Sequence, residues 1–334
     1  MYDKDIKRFL NEKENENPEL YDFKDEIFEE AQAFYNEIRE IHDINQYIIK
    51  DDAANKIRRF LQYTESLDTG NPIKKLYITN IYALGKVKCD CDSSDGSYAL
   101  TNEIYDRLWG WHFDKRGKSR KVPDNLKEKL GHKWGNMELG SDTMNSFKTT
   151  YDQAIIIEAT KQKINLDQYK TQYGYNRMVL IKDYPSVLRV INGNTHLQRY
   201  ALLTHTIGNF TLIPNKIRFA DGKWASFQSR GILLKDYWDL SLDALQNFLN
   251  GSLSKVADNS FERYVDTFYL NDYIEHGTVK QLFTRQEGHI LPQTEDELNE
   301  FLQNVNHLII LRGKKIVDEL NALLRELGLC NTQF

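Results

Sequence analysis

The stretch Thr204–Leu249, THTIGNFTLIPNKIRFADGKWASFQSRGILLKDYWDLSLDALQNFL, places two different periodicities side by side. Phe210 to Ile213 reads as a short apolar strand, punctuated by the turn-forming pairs Pro214-Asn215 and Asp221-Gly222. Behind it, Asp239 with Leu240-Ser241-Leu242 opens an apolar run at helical spacing, with Asp236 just before it and Asp243 inside it. Strand and helix adjoin in a chain whose other patterns are mostly helical. The expected fold is therefore α+β, mainly helical with a small β-sheet. The same stretch crowds His205, Asn209, Lys216 and Arg230 around its strand, more polar groups than a plain core element needs.

Downstream the pattern is that of packing. Phe261, Tyr264, Val265 and Phe268 share one helical face; Leu298, Phe301, Leu302 and Val305 share another, for which Thr294 is the expected cap with Asp296 and Glu297 in the first turn. Val317, Leu320, Leu323, Leu324 and Leu327 make the last stripe before Gly328. Upstream, Tyr184 to Leu203 reads as helix broken at Asn192-Gly193-Asn194. Ser141 or Asp142 is the expected N-cap of the run that begins near Tyr151.

At the N-terminus, Leu20, Phe23, Ile27, Ala31, Phe34, Ile38, Ile41 and Ile44 recur at steps of three and four, and a second helix is expected from Ala53 to Leu67 before the Gly70 and Pro72 breakers. Residues 1–70 hold 10 Lys and Arg against 18 Asp and Glu, so this hairpin carries −8 of the net −5 and the rest of the chain +3. Two units are expected: an acidic helical hairpin over 1–70, a candidate surface for a protein partner, and a main α+β domain over 71–334. One or two strands are expected around Leu76 to Cys89.

Composition and short motifs exclude more than they assign. With 334 residues, 40% apolar and 12% aromatic, the chain can bury a substantial core. Three cysteines, Cys89, Cys91 and Cys330, are too few for a disulfide framework and fit a reducing compartment. The spacing of Cys89 and Cys91 is poor for zinc, even with His112 or His132 near in sequence. The run CDCDSSDG has glycine one position late for an EF-hand loop and Thr101 where glutamate belongs. No window has the roughly 20 apolar residues that span a bilayer, and no leader pattern opens the chain, so the expected location is the cytoplasm. Phosphate-binding, dinucleotide, nucleophile-elbow and zinc-helix motifs are all missing.

One positive signal concerns charge. Residues 109–134, WGWHFDKRGKSRKVPDNLKEKLGHKW, carry eight Lys and Arg against three Asp and Glu. Within them Lys115, Arg116, Lys118, Arg120 and Lys121 are a candidate contact for the phosphates of DNA or RNA, with Trp109, Trp111 or Trp134 as stacking partners; the competing reading makes these tryptophans core anchors.

Longer patterns then resemble a known grouping. Arg230-Gly231, Asp236, Asp239-Leu240-Ser241-Leu242, Leu270-Asn271-Asp272, the Leu-Ile-Ile-Leu-Arg-Gly ending of the 301–316 helix, and upstream Ser141-Asp142 and Leu108-Trp109 follow the order of an uncharacterised bacterial family, domain of unknown function number 6994. Tyr237 stands where that pattern has arginine. The resemblance implies a grouping, with Arg230, Asp236, Asp239 and Asp142 as candidate ligand-binding residues. Arg230 would supply a bidentate fork for phosphate.

A narrower resemblance points to chemistry. Thr206-Ile207-Gly208-Asn209-Phe210-Thr211-Leu212 is similar to the Gly-Asn-Leu-Thr-Leu element of His-Me-finger endonucleases, and Gly288-His289-Ile290-Leu291-Pro292 to their His-x-x-Pro element. It implies His289 or His205 as the base that activates water, Asn209 as a supporting ligand, and Mg²⁺ or Mn²⁺ as the metal. The two elements stand in reversed order, so the site would be permuted or degenerate.

Three functional expectations follow. The first is a polar site for a nucleic acid or phosphate-bearing ligand, in phage defence or toxicity. A second is a non-enzymatic interaction or structural protein in which the Arg and Asp motif is an internal packing network. The third is the permuted metal-dependent nuclease.

Overall fold

The computed structural model describes residues 104–326 except 113–119, 172–173, 176–179, 181–182, 204–206, 220, 228–236, 252–258 and 286–289. The acidic hairpin over 1–70, the strands expected before Cys89 and the CDCDSSDG turn lie outside the described residues. What is described is α+β, mainly helical with a small antiparallel sheet.

The sheet is assembled from β1 (Arg120–Lys121), β2 (Met137–Thr143), β5 (Phe210–Arg218) and β6 (Trp224–Ser226), in the order β1-β2-β5-β6 with every pairing antiparallel. β5 therefore extends beyond the expected Phe210–Ile213 run. Pro214 is accommodated where the β2–β5 register shifts, between Glu138 and Leu139, so the missing N–H falls at a bulge. Met137, Leu139, Leu212 and Ile217 enter the core. Ser141 and Asp142 belong to β2 and cap nothing: α2 (Phe147–Lys161) begins after Ser146.

α1 (Asp124–Leu130) lies between β1 and β2, while β3 (Lys170–Thr171) and β4 (Gly174–Tyr175) form a separate two-stranded piece. The Tyr184–Leu203 region is two helices, α3 (Pro185–Asn192) and α4 (Thr195–Leu203), parted at Gly193-Asn194 as the sequence indicates. The Asn194 side chain accepts the amides of His196 and Leu197, satisfying two of the donors that a helix start leaves open.

α5 (Trp238–Asn250) and α6 (Ser260–Thr267) follow the sheet, then a short hairpin of β7 (Ile274–Glu275) and β8 (Thr278–Val279). The chain ends its described part in α7 (Glu295–Glu326), a single helix of 32 residues, about 48 Å long. Two apolar stripes in the sequence prove to be one helix because Gly313, between them, has helical neighbours on both sides and no proline near it. Its start is the expected capping box: Thr294 Oγ1 accepts the Glu297 amide, and Glu297 Oε2 accepts those of Gln293 and Thr294.

Aromatic side chains fill the space between sheet and helices. Trp134 stacks on Tyr264 with ring centroids 4.8 Å apart and donates Nε1–H to the Ser260 carbonyl. Trp109 and Trp111 are buried as well, Trp109 donating to the Thr267 carbonyl. None of these three tryptophans is available to stack on a base. They are core anchors, and the indole N–H groups of Trp109 and Trp134 are satisfied by backbone carbonyls.

Candidate functional site

The turn Ile207–Asn209, the start of the Gly-Asn element, is fully buried, and its partner is the middle of α7. Arg312 is also fully buried. Its Nη1 donates to the carbonyls of Ile207 at 3.1 Å, Gly208 at 2.8 Å and Phe210 at 3.0 Å, and its Nε to Phe268 at 2.9 Å. A tight turn turns its carbonyls inward, and a guanidinium with fixed, forked donors can satisfy several at once. Tyr105 donates to the same Phe210 carbonyl at 2.6 Å.

Gly208 permits that approach. A Cβ built on it would lie 2.1 Å from the Ile309 carbonyl oxygen and 3.1 Å from the Gly313 nitrogen. The Thr-Ile-Gly-Asn-Phe segment and the Leu-Arg-Gly segment, two separate motifs in the sequence, are thus one interlocking contact.

Asn209 completes the junction from the other side. Its Oδ1 accepts both the backbone and the side-chain N–H of Asn145, at 3.1 and 3.0 Å, and its Nδ2 donates to the Asn145 carbonyl at 2.9 Å. Asn145 Oδ1 in turn accepts the amide of Trp238, the first residue of α5. Both asparagines are fully buried. Their amides join the β2–α2 corner, the β5 entry and the α5 start.

One residue further along α5, Asp239 is 2% exposed and meets Arg285 Nη2 at 2.5 Å. Arg285 also lies over the Phe283 ring, 5.6 Å from its centroid. Burial pushes the Asp239 carboxyl above the usual carboxylate range; the Arg285 charge and nearby backbone N–H groups oppose the rise. Burial is the main cause that raises the hydroxyls of Tyr264 and Tyr273 in the same interior, against the opposing charge of Arg312. Asp239 Oδ1, the Trp238 indole N–H and Arg312 Nη2 form no hydrogen bond among the described residues.

The remaining expected site residues are dispersed. Arg230, Asp236, His205 and His289, with Lys115, Arg116 and Lys118, lie outside the described residues. Asp142 is exposed on β2 and accepts its neighbour Thr143's amide at 2.8 Å. A cleft of about 290 Å³ opens between α2 and the starts of α4 and α7, lined by Glu158, His196, Glu295 and Leu298 among others. None of the candidate site residues among those described lines it. Among the described residues no three His, Cys, Asp or Glu side chains are grouped to hold a metal, and no helix is long and apolar enough to cross a membrane.

The sheet presents a different surface. Antiparallel partners project to the same side, so Lys121, Glu138, Lys216 and Ser226 form one cross-strand row, and Arg218 and Trp224 form the next. Lys121, Lys216 and Arg218 are exposed and Glu138 is half-buried. Glu138 lies 3.7 Å from Lys216, and the Arg218 Nε donates weakly to the Gly222 carbonyl at 3.4 Å. Arg120 alternates to the other side, opposite Leu139, and is half-buried. Lys216 was marked in the sequence only for its nearness to the apolar strand, and Arg218 and Trp224 not at all. The signal that could have found them is the period of two continuing past Pro214.

No curated protein and no solved structure matches the chain. Residues 175–316 match a family of unknown function, DUF6994. That span includes Arg230-Gly231, Asp236, Asp239 and Leu270-Asn271-Asp272, and stops short of Leu108-Trp109 and Ser141-Asp142. The interlocked turn, the α5 start and Arg312 all fall within the matched span.

Proposed function

We propose that the protein binds nucleic acid through the solvent face of its four-stranded sheet, and that the Asp239–Arg285 pair and Arg312 are the packing network that holds this sheet to the helices. The observation that supports the reading is the shared face of Lys121, Lys216 and Arg218. Against them the cross-strand rows set one carboxylate, Glu138, so the local balance is cationic in a chain of net −5. Lys115, Arg116 and Lys118 immediately precede β1 in the sequence and add to its positive charge. Fixed cations on a flat surface attract a polyanion by releasing its condensed counterions, with no pocket required.

The interior cluster suits this division of labour. Asp239 already has a cationic partner, and the guanidinium of Arg312 is spent on four backbone carbonyls. A nuclease acting through Asn209 would have to draw its amide out of the bonds with Asn145.

Fluorescence anisotropy of labelled DNA and RNA oligonucleotides against the full chain, at about 50 mM salt, tests the proposal. Micromolar or tighter binding is expected, weakened more than about tenfold by the triple variant Lys121→Glu, Lys216→Glu, Arg218→Glu. Adding Mg²⁺ or Mn²⁺, with EDTA as control, reads cleavage in the same samples. Absence of binding at low salt, or a triple variant that binds as well as the parent, removes the proposal.

A further inference from the structure

We infer that the nucleic acid taken by this face is single-stranded, and that Trp224 is the platform on which an unpaired base stacks. The inference rests on the nucleic-acid reading above and narrows it.

Trp224 differs from the other tryptophans of the chain. Trp109, Trp111, Trp134 and Trp238 are each at most 3% exposed, whereas Trp224 is 37% exposed. It stands on the cationic side of the sheet, register partner of Arg218 and two positions along β6 from Ser226, which ends the row of Lys216, Glu138 and Lys121. β6 is the outer strand and only three residues long, so the ring sits at the sheet margin.

Its presentation is fixed by the turn before it. The Gly222 amide donates to the Phe219 carbonyl and the Phe219 amide to the Lys223 carbonyl, both at 2.9 Å; Asp221 Oδ1 accepts the Lys223 amide at 3.0 Å. Gly222 adopts φ +79°, a conformation available to glycine at little cost. Phe227 then anchors the far end of the strand through its amide to the Asn215 carbonyl. An aromatic side chain held this way loses little freedom when a ligand arrives.

Chemistry separates single strands from duplexes here. The base faces of a duplex are covered by their neighbours, so a duplex offers this surface phosphates and groove edges but no open π-face for the indole. An unpaired base offers an open π-face to indole while its flanking phosphates meet Lys216, Arg218 and Lys121. Stacking of this kind is tolerant of sequence and weakens binding about 5- to 150-fold when the aromatic is removed.

The buried state of the other four tryptophans makes contact quenching of the intrinsic fluorescence by a ligand a report on Trp224. Titrating the full chain with an oligo(dT) of about 20 nucleotides should quench the emission, and a duplex of equal length should leave it nearly unchanged. Oligo(dT) should bind at least about fivefold more tightly than the duplex. Trp224→Ala should lose that advantage and the quenching while duplex affinity moves less than about twofold; Trp224→Phe should keep most of both. Equal or tighter duplex binding, or a Trp224→Ala protein that holds oligo(dT) as before, overturns the single-strand inference and leaves the electrostatic proposal standing. Failure of both ligands to bind at low salt overturns the two together.

Discussion

At the scale of single residues, Asp239 and Arg285 show how a charge is kept in an interior. Removing one partner of a buried pair leaves the other uncompensated, so Arg285→Met alone should destabilise the fold by about 3 kcal/mol, whereas Asp239→Leu with Arg285→Met should stay within about 1–2 kcal/mol of the parent. Urea unfolding of the four members of the cycle reads the coupling, and additive single effects would show that the pair is not coupled. The raised carboxyl also fixes a sign. A group whose folded value lies above its unfolded value of about 3.8 binds its proton more readily in the folded state. Its stabilising contribution is fully present below the unfolded value and fades as pH rises through the folded one. Relative to Asp239→Asn, the parent should therefore gain stability as pH falls from 7 toward 4, and a difference independent of pH would contradict the assignment. The sequence marked Asp239 as unusual, because an acid beside an apolar helical run needs a reason. Its partner was not legible: Arg285 is 46 positions away in a segment with no periodicity, and Asn145 and Asn209 are 64 apart.

At the scale of elements, the joint between the Ile207–Asn209 turn and α7 decides how the sheet sits on the long helix. The fit is backbone against backbone, since the Gly208 Cα faces the Ile309 carbonyl with no room for a methyl group. Gly208→Ala must push the helix away from the turn and draw Arg312 from its carbonyls, and a loss of more than about 3 kcal/mol is expected. Arg312→Met should cost a similar amount by leaving four carbonyls without their donor, and Arg312→Lys should restore little, because a single ammonium cannot reach them all. Thermal melts of the three variants measure this, and a Gly208→Ala protein that melts with the parent would show that the contact is looser than described. Helices, their breaks and the capping box of α7 were readable because each is written locally, in spacing and in cap residues. The length of β5 was hidden by Pro214, which ends most strands and here sits at a bulge. The Gly-Asn element was readable as a feature but not as a role, since a buried asparagine tying three corners and one holding a metal leave the same mark in a sequence.

At the scale of the whole molecule, charge is segregated rather than balanced. Residues 1–70 carry −8 while the remainder carries +3, and part of that positive excess is displayed on one sheet face. Such a face acts through its field, whose reach is about a Debye length, close to 10 Å at 0.1 M salt. Affinity should therefore respond to salt in proportion to the phosphates neutralised. For a single strand each contributes about 0.7 to the slope of log affinity against log salt, so Lys121, Lys216 and Arg218 together should account for about 2 of the observed slope. Reversing Arg218 alone should lower the slope by about 0.7, whereas Trp224→Ala, which removes stacking and no charge, should shift the line downward without changing its gradient. Anisotropy titrations from about 50 to 300 mM salt separate the two effects. A Trp224→Ala line of altered gradient, or an Arg218→Glu line parallel to the parent's, would show that the cations and the indole do not share the work in this way.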